Sequence, residues 1–182
     1  MTLKRWLPTF VAFPLGGYLA MVTVGSLDDP LSAAAGGLLA GAVIGAGQWL
    51  ALRSRAIDAR WVGYTAAAMS AGTTLAATVT GAGTELADLM LTGLIAGATV
   101  GAAQSALLAG GRLVTAVWTG ITAASWPLGW LVTWTVVGVN ADQGFYVFGS
   151  SGAIVVSVLT GLALRRMLAA TDAAAIPAAA SA

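Results

Sequence analysis

The sequence predicts an all-α protein: a polytopic membrane bundle of six transmembrane helices, laid out as three tandem hairpins. Three observations carry that prediction. They are an almost uncharged composition, a series of apolar runs of membrane-spanning length, and a repeat at an offset of 56 residues.

Charged residues make up 8% of the 182 positions and the mean hydropathy is +0.88. A soluble domain gives roughly a quarter of its residues to Asp, Glu, Lys and Arg, and no soluble fold of this length can hide so much apolar surface. The apolar runs fall at 6–27, 31–52, 61–80, 86–109, 113–138 and 144–167. Each reaches the length of about 20 residues that a helix needs to cross about 30 Å of hydrocarbon. Transmembrane β-strands require alternating polarity over about ten residues, and that alternation is absent. The connections are short, so 1–170 reads as one transmembrane domain. The Ala-rich stretch 171–182 offers no face to pack and reads as a disordered tail.

Orientation follows from the basic residues. With the N-terminus inside, Lys4, Arg5, Arg53, Arg55, Arg60, Arg112, Arg165 and Arg166 all fall on the cytoplasmic side, which accounts for every basic residue in the chain. Asp28, Asp29, Glu85, Asp88 and Asp142 fall on the other. The expected location is the inner (cytoplasmic) membrane, with both termini in the cytoplasm. The first segment follows Lys4 and Arg5 as a signal peptide would, but its length and its match to later segments argue against cleavage.

The repeat is legible residue by residue. GLLAGAVIGAGQ at 37–48 returns as GLIAGATVGAAQ at 93–104, and a third copy aligns Gly149, Ala153, Ser157 and Thr160 with Gly37, Gly41, Gly45 and Gln48. The odd-numbered segments carry a weaker copy that aligns Thr9, Thr65 and Thr122, with a one-residue slip before the third. Each unit contains two crossings, so all three units enter the membrane the same way round and any symmetry axis runs along its normal.

The string Gln48-Trp49-Leu50-Ala51-Leu52-Arg53 that closes the first hairpin resembles the hairpin endings of a set of uncharacterised bacterial multipass proteins. In the later units Ser105 and Gly161 replace Trp49. The resemblance implies a multipass hairpin plan and no activity. The three-hairpin plan is also shared with mitochondrial carriers, but their acidic and basic signature residues after each odd helix are missing here.

Three groups of residues are candidates for structural or functional roles. Gly37, Gly41 and Gly45 recur every four residues and lie within an arc of about 80°, with Gln48 on the same arc. Gly93, Gly97, Gly101 and Gly149 repeat the pattern. Such a glycine zipper is a helix-packing seam in lipid, where association depends on close backbone approach; the second reading is a polar pathway lined by carbonyls. Gln48, Gln104 and Thr160, with Thr9 and Thr65 at similar depth and Thr122 somewhat deeper, form an expected polar layer, either interhelical glue or a solute constriction. Trp126, Trp130 and Trp134 form a stripe on the fifth segment, and the first two lie well inside the hydrocarbon rather than at the interfaces where Trp concentrates. They read as packing bulk, or as a ligand or partner surface.

Catalytic residues and metal ligands are not expected. The chain has no Cys and no His, and its apolar segments offer only hydroxyls, amides and indoles, with no nucleophile–base pair in reach. No cofactor can be named and no nucleic-acid partner is expected. The expected partners are the bilayer itself, other membrane subunits or a hydrophobic ligand. The composition therefore points to a non-enzymatic integral membrane protein, either an accessory or scaffold subunit or a binder of a lipid-phase ligand. The alternative is a passive channel or uniporter for a small neutral solute.

Overall fold

The computed structural model describes residues 2–55, 57–108, 110–138 and 145–180, the last ten of these as backbone only. It contains six helices, and no strand occurs among the described residues. They are α1 (Leu3–Val24), α2 (Pro30–Leu52), α3 (Arg60–Thr80), α4 (Leu86–Ser105), α5 (Gly111–Val137) and α6 (Ser150–Ala180). Within α1, Leu7–Val11 is wound as a 3₁₀ stretch. Pro8 lies near its start and has no N–H to give the helix.

Local chemistry sets the ends. Pro30 opens α2, and Asp29 accepts from the backbone N–H groups of Leu31 and Ser32 at 2.6 and 2.9 Å while Ser32 Oγ accepts from Asp29 N at 3.1 Å. This reciprocal capping box satisfies donors that a helix start leaves open. Arg60 N donates to Asp58 Oδ1 at 2.7 Å ahead of α3, and Gly81, at φ 64°, ends that helix in the left-handed conformation that a Cβ disfavours.

Leu3–Val24, Pro30–Arg55, Leu86–Ser105 and Ser150–Ala170 are long and apolar enough to cross a membrane. The other two helices, α3 and α5, are long enough at 21 and 27 residues but are less hydropathic, being rich in Thr, Ser, Gly and Trp. Much of that polarity is satisfied within the helix: Thr65, Thr74, Thr78 and Thr80 each donate to the carbonyl four residues back at 2.7–2.9 Å.

One expected boundary is corrected. The sixth helix begins at Ser150, not near 144. Tyr146, Val147 and Phe148 precede it and are buried, so they belong to the core. Tyr146 covers Gly36 and donates from its hydroxyl to Ser26 O at 3.3 Å. Helical backbone runs on through Thr171–Ala180. Asp142, assigned to the outer side, lies outside the described residues.

Candidate functional site

The six polar-layer residues are all buried, and a ring of three tryptophans organises them. Trp61 Nε1 donates to Gln48 Oε1 at 3.1 Å, Trp118 Nε1 to Gln104 Oε1 at 3.1 Å and Trp6 Nε1 to Thr160 Oγ1 at 3.2 Å. Each odd helix thus gives an indole N–H to the layer residue of an even helix: α3 to α2, α5 to α4, and α1 to α6. Gln104 Nε2 also donates to Gln48 Oε1 at 2.8 Å and to Thr65 Oγ1 at 2.9 Å. The indoles pack against one another, with Trp118 centred 6.4 Å from both Trp6 and Trp61.

The hydroxyls are spent locally. Thr65 donates to Trp61 O at 2.7 Å, Thr122 to Trp118 O at 2.8 Å and Thr160 to Val156 O at 2.7 Å. Thr9 differs from these three, because its buried Oγ1 has no partner. It sits in the 3₁₀ stretch, three residues after its tryptophan rather than four. Trp6 is hidden from sequence reasoning because it stands one position out of register with Trp61 and Trp118 when the threonines are aligned, an offset that the 3₁₀ winding accommodates. The available signal is a Trp three or four residues ahead of each layer threonine.

A second aromatic layer fills the centre above the ring. Phe13 stacks on Phe148 at 5.3 Å, Trp126 meets Phe148 edge-on at 5.6 Å and Phe13 at 6.0 Å, and Trp130 meets Phe148 at 6.1 Å. Trp126 and Trp130 are 3% and 2% exposed, which takes both out of any outward-facing groove; Trp134 is half-buried against the same core. The reason is the opposite helix. A Cβ on Gly93 would stand 2.8 Å from Trp130 Cδ1, and one on Gly97 would stand 3.0 Å from Trp126 Cβ, so glycines on α4 make the room that the indoles of α5 occupy.

The remaining glycines behave alike at two seams and differently at the third. Gly41 and Gly45 face α3, where an added Cβ would meet Met69 Cβ at 2.6 Å and Thr65 Cβ at 2.9 Å, and Gly37 abuts Thr73. Gly101 faces α5 at Thr119 Cα, 2.8 Å away. Gly149 instead points at Thr133 of α5, the preceding helix and not α1. Contact between α6 and α1 is made by inserted side chains, Trp6 over Gly161 and Val147 over Gly17.

Cavities open outward from the bundle. A groove of about 900 Å³ runs between α1 and α2, lined by residues that include Arg5, Thr9, Leu15, Val43, Leu50 and Arg53. A smaller one of about 480 Å³ lies between α3 and α4, lined by Arg60, Tyr64 and small residues.

No family model, curated protein or solved structure matches the chain. The fold and its apolar helices define the class: an all-α membrane protein with four helices able to span.

Proposed function

We propose that this chain crosses the inner (cytoplasmic) membrane six times as three tandem hairpins, and that it is a non-enzymatic binder of a hydrophobic ligand in the lipid phase. Both termini lie in the cytoplasm. At 1.5 Å per residue α3 and α5 reach roughly 31 and 40 Å, enough to span the hydrocarbon with the other four. Every basic residue is exposed; Lys4, Arg5, Arg53, Arg55, Arg60 and Arg112 lie a few residues from helix ends near the tryptophan ring, and Arg165 and Arg166 follow Leu164, which packs in the same cluster. This distribution supports a single cytoplasmic face. Reporter fusions at Asp58 and after Arg166 should read cytoplasm, and fusions near Asp28 and Gly83 should read the outside; one loop on the wrong side overturns the six-span map.

The observation that carries the functional reading is the contrast between a filled axis and open flanks. Gln48, Gln104 and Thr160 are committed to Trp61, Trp118 and Trp6, and the space above them holds Phe13, Trp126, Trp130 and Phe148. A conduction path needs polar groups free to exchange with a solute's hydration shell, whereas these amides are spent on one another. The roomy sites face lipid.

Reconstitution tests the reading. Liposomes carrying the protein should shrink and recover in urea or glycerol gradients at the rate of protein-free liposomes, and the protein extracted in mild detergent should retain a hydrophobic molecule detectable by native mass spectrometry. Faster solute flux that changes in a Gln48→Leu, Gln104→Leu double variant would establish a channel instead.

A further inference from the structure

We infer that the groove between α1 and α2 is a binding site for an anionic phospholipid, with the headgroup phosphate between Arg5 and Arg53 and an acyl chain laid along the apolar wall below them. The inference rests on the proposal that the protein binds a lipid-phase ligand, and it names that ligand's class.

The groove has the shape and charge such a lipid needs. Its wall is aliphatic, with Val11, Leu15 and Leu50 about half exposed. Its mouth holds two guanidinium groups, and Arg5 Nη1 donates to Ser54 Oγ at 3.0 Å, which fixes the α1 arginine against the end of α2. Among the described residues no carboxylate pairs with Arg5 or Arg53, whereas Arg60 pairs with Asp58 at 3.3 Å at the other groove. Two unneutralised guanidinium groups over an apolar trough complement a phosphodiester carrying acyl chains. The cytoplasmic leaflet, where the proposed topology puts these arginines, is the one that carries anionic lipids. Thr9 lines the same groove, and its buried hydroxyl has no partner within the protein.

The α3–α4 groove provides an internal contrast. Its lining residues Arg60, Gly63, Tyr64, Ala67, Ala68 and Ala103 stand 56 positions after Lys4, Leu7, Pro8, Val11, Ala12 and Gly47. It has about half the volume, at 480 against 900 Å³. Its arginine is already paired. The chemistry that favours an anionic lipid is therefore concentrated at the first groove.

The test uses the full chain in detergent, titrated with phosphatidylglycerol or phosphatidylcholine and read by native mass spectrometry. The wild type should hold one phosphatidylglycerol in preference to phosphatidylcholine. Arg5→Gln, Arg53→Gln should weaken that binding by about thirtyfold, while Arg165→Gln, Arg166→Gln, with the same loss of charge, should leave it within about twofold. Ala46→Phe, which fills the groove and keeps both arginines, should also abolish preferential binding, and glycerol 3-phosphate should not compete. Equal binding of the two lipids, an equal loss in the two arginine pairs, or a protein dimer that Ala46→Phe dissolves would each overturn the lipid site. If the copurifying molecule proves to be an uncharged lipid displaced by Ala46→Phe, the phosphate assignment fails and the lipid-phase reading survives. Retention of no hydrophobic molecule at all removes both.

Discussion

α1 and α3 begin alike and are held in different ways. Each places a tryptophan and then a threonine on its inward face, Trp6 with Thr9 and Trp61 with Thr65, and both indoles are buried donors. Around α3 the arrangement closes completely: Thr65 donates to Trp61 O and accepts from Gln104, and the glycines of α2 press their backbone against the helix. Around α1 it does not. The Thr9 hydroxyl, in the 3₁₀ stretch, has no partner, and the contact with α6 is made by side chains inserted over Gly161 and Gly17 instead of by close backbone approach. The larger groove opens on the loosely held helix. Identical residue types can therefore serve as closed packing around one helix and leave an open, polar-edged trough beside another, with the local backbone path deciding which.

The largest expected effect comes from breaking the tight side. Gly41→Leu or Gly97→Leu puts a branched side chain where a Cβ alone would already stand 2.6–3.0 Å from the neighbouring helix, and the bundle should lose more than about 4 kcal/mol or fail to assemble. Detergent melting would show it against Ala71→Leu on an exposed face, and equal tolerance at the two positions would place the glycine seam in lipid. Next in size is Gln104→Leu, which strands the Trp118 indole N–H and takes away the amide donor to Thr65 and Gln48, and should cost about 2–3 kcal/mol in SDS unfolding. A change below about 0.5 kcal/mol would mean the amide network is not sustained in the bilayer.

The threonines sharpen the comparison directly. Thr65→Val removes a hydroxyl with two partners and should destabilise by about 1 kcal/mol, whereas Thr9→Val removes an orphan and should be neutral or slightly stabilising. The same unfolding assay would register the difference, and matching losses at both sites would show that Thr9 finds a partner in the membrane. The smallest effect is expected on the outer face of α3, where a Cβ added to Gly63 would meet nothing within 4 Å; Gly63→Ala should stabilise by about 0.5–1 kcal/mol through lost unfolded-state entropy.

Much of this bundle is legible in the residues alone. Helical class and the approximate limits of most helices follow from run length and hydropathy, because a lipid-buried backbone must satisfy its own hydrogen bonds and so must be helical. The glycine spacing and the buried Gln–Thr set follow from periodicity, since residues four apart share a helix face. Other features require neighbours that no local pattern names. The inward turn of Trp126 and Trp130 depends on Gly93 and Gly97 of a different helix. The plug made by Tyr146 and Phe148 depends on Gly36 and Phe13, more than a hundred residues earlier in the chain. Pairing Trp6 with Thr160 joins residues 154 positions apart. Composition and period report what a residue is and which face of its helix it occupies, but whether that face meets a glycine, an amide or lipid is a property of the assembled bundle, set by helix-to-helix distances and not by the chain's local order.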